Sequence, residues 1–451
     1  MDLRREKEIF ETMPVHRAVF TMAIPTILSE LVTMVYNIAD TLYIGRLGNP
    51  YMMAGIAVSY PLFFFMNALG NLFGVGGGSF ISRLLGATRD DEVKHVSSFS
   101  FFGSTAMIIL YSLCCLLFMD PILYTLGASG DSIGYAKDYT LWVAVIGGPP
   151  TLLGIVIAHP LRSEGHARQA SAGMMLGGIL NIILDPIFIF LLHMNVAGVA
   201  IATAISNYVS FFYFTIIFAG LKGKTAMSLN PRHFVWRYAG EILAVGLPSA
   251  LHTLFANISN MVINRLASGY GDIPVAAFGI VKKIDMLPMR IGMGLCQGFM
   301  PLVGYNYSAK NYPRMRRVIS FSWKAGFLIT AACISIFWLF APGILNIFMD
   351  DIPTAALGTQ FLRIACLAVP FTTINVLAAY TLQSMGKGLQ SLLLSCCRQG
   401  LFNIPLLFAM NVLVGMYGII WTQLIADGIT VILSFAIYFE TVRKVEAGSP
   451  A

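Results

Sequence analysis

The chain has 451 residues, of which 57% are apolar and only 11% are charged. A soluble domain carries about 25% charged residues, so the composition excludes a cytosolic enzyme, a disordered protein and a nucleic-acid binder. Apolar runs of about 20 residues or more recur along the chain, whereas short strands of alternating polarity do not. Membrane-spanning helices are therefore predicted, because only helices or closed barrels satisfy the backbone in hydrocarbon.

Twelve spans are predicted from the apolar runs between charged breaks. Several of them exceed the roughly 20 residues that a perpendicular helix needs, so we expect tilted or kinked helices. The predicted ranges are 17–45, 51–83, 95–118, 133–158, 167–191, 195–221, 237–268, 274–308, 313–341, 353–384, 387–411 and 413–441.

Loop charge predicts the orientation of these spans. Of the 29 Lys and Arg residues, 21 lie at the termini and in the even-numbered loops, whereas the odd-numbered loops hold only Arg46, Lys137 and Arg265. By the positive-inside rule, both termini are expected in the cytoplasm. We therefore predict a multi-pass protein of the inner (cytoplasmic) membrane. The formal net charge of +7 follows from these loops, so no nucleic-acid partner is expected.

The two halves of the chain resemble each other. Ala23-Ile-Pro25 recurs as Gly246-Leu-Pro248, and Asn37 lies 223 positions before Asn260. Further matches share nearly the same offset, which indicates an internal duplication. Six spans in each repeat return the chain to the same side of the membrane, so the halves share one orientation.

An all-α integral membrane fold is therefore predicted, with twelve helices in two six-helix lobes related by a pseudo-two-fold axis along the membrane normal. The N-lobe is predicted at 1–221, a cytoplasmic linker at 222–236 and the C-lobe at 237–451. In the second span, Gly70, Gly74 and Gly78 are spaced by four residues. Small residues at this spacing let membrane helices approach closely.

Ionisable groups inside membrane spans are costly and are functional candidates by default. The amino-terminal half contains Glu30, Asp40 and Asp185. Asn181 and Asp185 are four residues apart, so both project from one face of the fifth span. Pro186 follows immediately, and we expect the helix to kink there.

Two other polar pairs share a helix face: Asn37 with Asp40 on the first span, and Thr203 with Asn207 on the sixth. If these faces converge with that of Asp185, the site contains two carboxylates, amides and a hydroxyl. This oxygen-rich set suits Na⁺, or a proton shared by two acids that do not easily both ionise at close range. The alternative is a set of hydrogen bonds between helices that binds no cation.

The carboxyl-terminal half contains more bases than acids within its spans. Lys282 and Asp285 are expected to pair one turn apart, and three cations remain without an acid in this half even if both acids are neutralised. The ionisable groups are Lys282, Lys283, Asp285, Arg290, Arg363, Arg398 and Asp427.

One hypothesis is a cavity surface that contacts an anionic or zwitterionic substrate. Its candidate contacts are Lys282, Asp285, Arg290, Met286 and Met289. Flexible thioethers would suit varied amphipathic molecules. The alternative is that the cations lie at helix ends and face water.

Three motifs of the chain resemble the multidrug and toxic compound extrusion (MATE) family. They are Tyr36-Asn-Ile-Ala-Asp40 followed by Gly45-Arg-Leu-Gly48, the segment Leu161-Arg-Ser-Glu-Gly165, and the run from Gly178 to Ile189. The sequence is most similar to the DinF-like and MepA-like bacterial and archaeal members, and the likeness covers nearly the whole chain.

This resemblance implies that Asp40, Asn181, Asp185 and Thr203 line a cation site in the N-lobe. It also implies an antiporter that exports amphipathic drugs or metabolites by alternating access, in exchange for H⁺ or Na⁺. We expect no cofactor besides that coupling ion. Small amphipathic substrates and the lipid bilayer are the expected partners, and a monomer is expected.

The two alternatives to an antiporter are a lipid flippase and a membrane-embedded enzyme. A flippase for lipid-linked saccharide or lipid, from the same wider superfamily, would use the buried cations to bind a pyrophosphate headgroup. A membrane-embedded enzyme would need clustered Asp or His at one membrane face. Because Asp90-Asp91 and Asp350-Asp351 are isolated pairs on opposite sides, we expect the protein not to be an enzyme.

Overall fold

The computed structural model describes residues 8–47, 49–348 and 351–446, and the regular secondary structure in these ranges is helical. Three predictions therefore fall on residues outside the described ranges. They concern the cytoplasmic placement of residues 1–7, Gly48 of the first motif and Asp350 of the second acidic pair.

The first half forms spans 1 to 6 close to their predicted bounds. Span 4 is bent by 41° between Ile133–Ile146 and Gly148–Ser163. A short helix, Met119–Thr125, precedes span 4 and was not predicted. The other spans of this half are Val15–Gly45, Pro50–Gly86, Asp90–Leu117, Ala167–Leu191 and Asn195–Gly220.

The second half forms spans 7 to 12. Span 11 ends at Val414 and span 12 begins at Met416, because Gly415 between them has φ +71° and makes the turn. The boundary predicted near 412 is therefore three residues early. The helices are Ala239–Ser268, Asp272–Ser308, Tyr312–Phe348, Ile352–Ser384, Gly388–Val414 and Met416–Glu446.

Among the described residues, ten helices are long and apolar enough to cross a membrane, and the bent pair of span 4 makes an eleventh. Span 8, Asp272–Ser308, is also 37 residues long. It carries Lys282, Lys283, Asp285 and Arg290, which lower its mean hydropathy. These helices make the chain a multi-pass membrane protein and fit the predicted two-lobed architecture.

The glycine stripe of span 2 packs against span 4, as predicted. A Cβ atom on Gly74 would lie 2.9 Å from the His159 ring, and one on Gly78 would lie 3.1 Å from the His159 Cβ. Gly70 faces Ile155 in the same way. The stripe therefore lets two helices of the N-lobe approach closely.

The two lobes meet along spans 1 and 8 and along spans 2 and 7. A Cβ on Gly298 would lie 2.4 Å from the Ala23 Cα, and one on Gly246 would lie 1.8 Å from the Leu72 carbonyl oxygen. The Thr26 hydroxyl donates to the Gly294 carbonyl at 2.6 Å. These approaches lie in the halves of the spans nearest the described amino terminus, so that side of the molecule is closed.

The segment before span 1, which the sequence assigns to the N-lobe, also contacts the C-lobe. The Arg314 guanidinium donates to the carbonyls of Phe10 at 2.7 Å and Met13 at 2.7 Å. The Tyr305 hydroxyl donates to Glu11 at 2.5 Å. Residues 9–13 thus add a second link between the halves on the closed side.

Candidate functional site

Two buried carboxyl groups meet between spans 1 and 5. Asp40 lies near the end of span 1 and is 8% exposed, and Asp185 ends the α-helical part of span 5 and is fully buried. Their carboxyl groups lie within hydrogen-bonding range of each other. Two acids at this distance hold one proton between them more readily than two negative charges.

Asn181 of span 5 and Thr203 of span 6 add an amide and a hydroxyl to this acid pair. The Asn181 amide nitrogen donates to Asp185 Oδ1 at 3.1 Å and to Thr203 Oγ1 at 3.2 Å. The Thr203 hydroxyl donates in turn to the Val199 carbonyl at 3.0 Å. The four residues predicted to form the cation site are therefore brought together from three spans.

Three oxygen atoms of this group are buried without a hydrogen-bond donor among the described residues: Asp40 Oδ1, Asn181 Oδ1 and Asp185 Oδ2. A buried acceptor without a partner costs about 1–3 kcal/mol. Two carboxylates, an amide oxygen and a hydroxyl are hard ligands that fit Na⁺ or a proton. Among the described residues, no group of three or more His, Cys, Asp or Glu side chains could hold a metal ion.

Pro186 changes the shape of span 5 directly beside the acid pair. The helix passes from Ala167–Pro186 into a π-helical turn at Ile187–Leu191, where the Leu192 N–H donates to the Ile187 carbonyl at 2.9 Å. A kink was expected because proline lacks an N–H; a wider turn accommodates it here. Such π-turns are frequent at functional sites.

The additional polar candidates of the N-lobe lie outside the acid pair's hydrogen-bond network. The Asn37 amide nitrogen donates back to the Thr33 carbonyl at 2.6 Å on its own helix. Asn207 is half-buried one turn beyond Thr203. Glu30 accepts from Arg290 Nη1 at 2.9 Å and from Gln297 Nε2 at 2.9 Å, so it joins the two lobes.

Three tyrosines near the acid pair were not predicted. Tyr36, Tyr60 and Tyr139 come from spans 1, 2 and 4, and each lies within electrostatic range of Asp40. Only Tyr36 had a sequence signal, because it precedes Asp40 by one helical turn. The other two are separated from Asp40 by whole spans, so periodicity did not single them out among the 18 tyrosines.

The C-lobe contains a cavity of about 130 Å³ between spans 7, 8, 10, 11 and 12. Of the predicted contacts, Lys282, Asp285 and Met289 line it, whereas Arg290 and Met286 do not. Arg290 points instead to the lobe interface and Glu30. Other polar lining residues are Ser259, Asn260, Thr372, Thr373, Arg398, Gln399, Asn403 and Gln423.

A buried ion pair borders this cavity. Arg398 Nε donates to Asp427 Oδ1 at 2.7 Å, and the two side chains are 5% and 0% exposed. Asp427 Oδ2 accepts from Gln423 Nε2 at 2.7 Å and from the Thr372 hydroxyl. Arg398 lies in a second π-helical turn, Cys397–Phe402, in the fifth span of the second repeat.

The expectations for the basic C-lobe had different outcomes. Lys282 and Asp285 attract each other across one turn, as expected, although no ion pair within 4 Å joins them in the described chain. Arg290 is not one of three unpaired cations, since Glu30 of the other lobe neutralises it. The Arg363 guanidinium lies over the Trp338 ring, 5.2 Å from its centroid.

The MatE family profile matches the chain twice, at residues 25–187 and 248–409. The chain belongs to the MATE family. The two matches begin 223 residues apart, which is the offset that joins Asn37 to Asn260. The MATE assignment covers both lobes, and MATE proteins are transporters.

Curated relatives of this MATE protein include the multidrug export protein MepA of Staphylococcus saprophyticus, 33% identical over 430 residues that cover 95% of each chain. MepA of Staphylococcus aureus is 33% identical over 435 residues, again 95% of each chain. Both names describe export of multiple drugs by those proteins.

Solved MATE structures share the fold. One is the outward-facing conformation of a multidrug resistance MATE family transporter of the MOP superfamily, with TM-score 0.92 and 25% identity over 99% of this chain and 100% of the other. Another is a MOP superfamily transporter from Pyrococcus furiosus, with TM-score 0.90 and 26% identity over 97% and 98% of the chains. That protein is described as having a binding pocket of reverse polarity that suggests a different function.

Proposed function

We propose that this chain is a secondary antiporter that exports amphipathic drugs or metabolites across the cytoplasmic membrane, driven by H⁺ or Na⁺. The single observation that carries the proposal is the contact between Asp40 and Asp185, with one oxygen of each lacking a donor. Export of multiple drugs by the MepA relatives supports the substrate class.

The acid pair couples the cation to the conformation because its members belong to different spans. A proton or Na⁺ between Asp40 and Asp185 removes their repulsion and holds span 1 against span 5. Its loss leaves two carboxylates that repel each other at short range, which favours movement of span 1. Span 1 also contacts span 8 through Thr26 and Gly294, so this movement reaches the lobe interface.

The lobe contacts support alternating access. The hydrogen bonds between the lobes join the first half of span 1, as far as Glu30, to the second half of span 8, which starts near Arg290. With cytoplasmic termini, as the loop charges predict, this arrangement is closed to the cytoplasm and outward-facing. Export then requires these contacts to separate and re-form in each cycle.

The lipid flippase is the second candidate, and it depends on free cations for a pyrophosphate group. Two of the arginines, half-buried Arg290 and buried Arg398, are already neutralised by Glu30 and Asp427. Since these pairs take up much of the available positive charge, the antiporter is the better supported function.

The test is ethidium efflux from drug-sensitive cells, with sodium and pH gradients imposed separately. Wild type should follow one gradient, and Asp40→Asn should lose gradient-driven efflux at equal expression. The matched control is Asp131→Asn, which removes an exposed loop carboxylate and should leave efflux unchanged. Gradient-driven efflux that persists in Asp40→Asn would contradict the proposal.

A further inference from the structure

One wall of the C-lobe cavity carries two opposite charges that attract each other across one helical turn. Lys282 and Asp285 lie one turn apart on span 8, and both side chains line the cavity. Within the described part of the chain, neither side chain has a hydrogen bond or an ion pair within 4 Å. Residues three apart on a helix lie about 5–6 Å from each other at Cβ, so the cavity presents a fixed dipole.

The ion pair between Arg398 and Asp427 borders the cavity, and its charges are already paired with each other. Asp427 accepts hydrogen bonds from Arg398, Gln423 and Thr372, and it does not line the cavity. Arg398 lines the cavity. The negative charge of Asp427 neutralises the positive charge of Arg398. The charges of Lys282, Asp285, Arg398 and Asp427 therefore sum to zero, and Lys282 and Asp285 are the two without a direct hydrogen bond within the described part of the chain.

The two charges on this wall determine which charged groups of a ligand are favoured. A buried charge is tolerated only when it is paired and hydrogen-bonded. A cation would compete with Lys282 for Asp285, and an anion would compete with Asp285 for Lys282. A ligand with both charges satisfies both residues at once.

The lining of the cavity fits an amphipathic molecule. Phe278, Met289 and Ile420 supply apolar surface beside the charged wall. An aromatic or aliphatic body therefore has a place next to the dipole.

We propose that this cavity binds an amphipathic zwitterion, with the anionic group of the ligand against Lys282 and its ammonium group against Asp285. The proposal rests on the proposed export function, since it names one class of substrate for that transporter. It also separates two roles: the N-lobe acid pair binds the coupling cation, and the C-lobe dipole binds zwitterionic substrates.

The test is equilibrium binding to the purified full chain in nanodiscs, with no ion gradient. The probes are ε-dansyl-lysine, which is a zwitterion, its methyl ester, its Nα-acetyl derivative, and the derivative with both groups blocked. These have the same fluorescent body and differ only in charge. The wild type should bind the zwitterion about ten-fold tighter than either singly charged probe, as expected for one additional charge-assisted contact.

Single variants assign each charge. Lys282→Gln should weaken zwitterion binding about ten-fold and should not weaken binding of the cationic methyl ester. Asp285→Asn should weaken zwitterion binding similarly and should not weaken binding of the anionic Nα-acetyl probe. Lys283→Gln is the matched control, because that neighbouring side chain does not line the cavity, and it should bind all four probes as the wild type does.

A charge-reversed double variant, Lys282→Asp with Asp285→Lys, keeps the dipole and should keep the zwitterion preference even if the single variants unfold. Equal binding of the Nα-acetyl probe and the zwitterion by the wild type would overturn the proposal. So would zwitterion binding unaffected by Asp285→Asn. Asp40→Asn should bind the probes as the wild type does but should lose export. Probe binding therefore tests this site, and export tests the antiport mechanism.

Discussion

Arg290 Nη1 of the C-lobe donates to Glu30 Oε2 of the N-lobe at 2.9 Å, and the two side chains are only 26% and 14% exposed. Gln297 donates to the other Glu30 oxygen at 2.9 Å. This cluster lies on the closed side of the lobe interface, beside the contact between Thr26 and Gly294. It therefore stabilises one of the two conformations that an alternating-access transporter must visit.

Removing this pair should shift the conformational equilibrium. Arg290→Gln leaves the Glu30 carboxylate without its charged partner, which costs about 1–3 kcal/mol, so the population open on the termini side should rise roughly ten-fold or more. Distances between spin labels at Asp91→Cys and Lys310→Cys, in a background without native cysteines, measure that population.

The matched control for this variant is Glu440→Gln, which removes an exposed pair with Lys444 within span 12. It should leave the label distances unchanged, because that pair does not join the lobes. A distance distribution for Arg290→Gln identical to that of the parent would contradict a locking role for the Glu30 cluster.

The cation site should depend more on Asp185 than on Thr203. Asp185→Asn removes a charge, whereas Thr203→Ala removes a dipole whose hydroxyl already donates to Val199. We expect Na⁺ affinity to fall about ten-fold or more in the first variant and only a few-fold in the second. Sodium-dependent thermal stabilisation of the purified protein gives both affinities, and equal losses would argue against the proposed ligand set.

The close approach of Gly246 to Leu72 should be required for the two lobes to close on the side of the chain termini. A Cβ on Gly246 would lie 1.8 Å from the Leu72 carbonyl oxygen, so Gly246→Ala should force spans 2 and 7 apart and reduce export at least about ten-fold. Gly279→Ala is the control, since a Cβ there meets no heavy atom within 4 Å. That variant should keep export, and alanine in place of a helical glycine should raise stability by about 0.5–1 kcal/mol. Normal export by Gly246→Ala would show that this approach is not needed.

Local patterns in the sequence predicted much of the fold. The range 167–191 matched span 5 because apolar periodicity and flanking polar residues act within one helix. The repeat offset predicted the two lobes, and helix faces predicted that Asn181 and Asp185 would lie together. The turn at Gly415 was misplaced, because no polar break separates spans 11 and 12 and only the positive φ of Gly415 marks it.

Contacts across the duplication could not be predicted in the same way. Glu30 and Arg290 are 260 residues apart, and no periodicity relates one to the other. Counting charges within the C-lobe alone therefore gave too many free cations. Lys282 and Asp285 attract each other as their spacing predicts, but spacing along a helix does not report that a cavity lies in front of both side chains.

The most direct test of antiport is cation movement driven by substrate in proteoliposomes containing the purified protein. An outward gradient of ethidium, with no initial ion gradient, should drive H⁺ or Na⁺ in the opposite direction in the wild type, measured with a pH dye and with radioactive sodium. Asp40→Asn should move no cation. Ethidium that crosses through the wild-type protein without any opposing H⁺ or Na⁺ flux would contradict the central claim that the Asp40–Asp185 pair couples export to a cation.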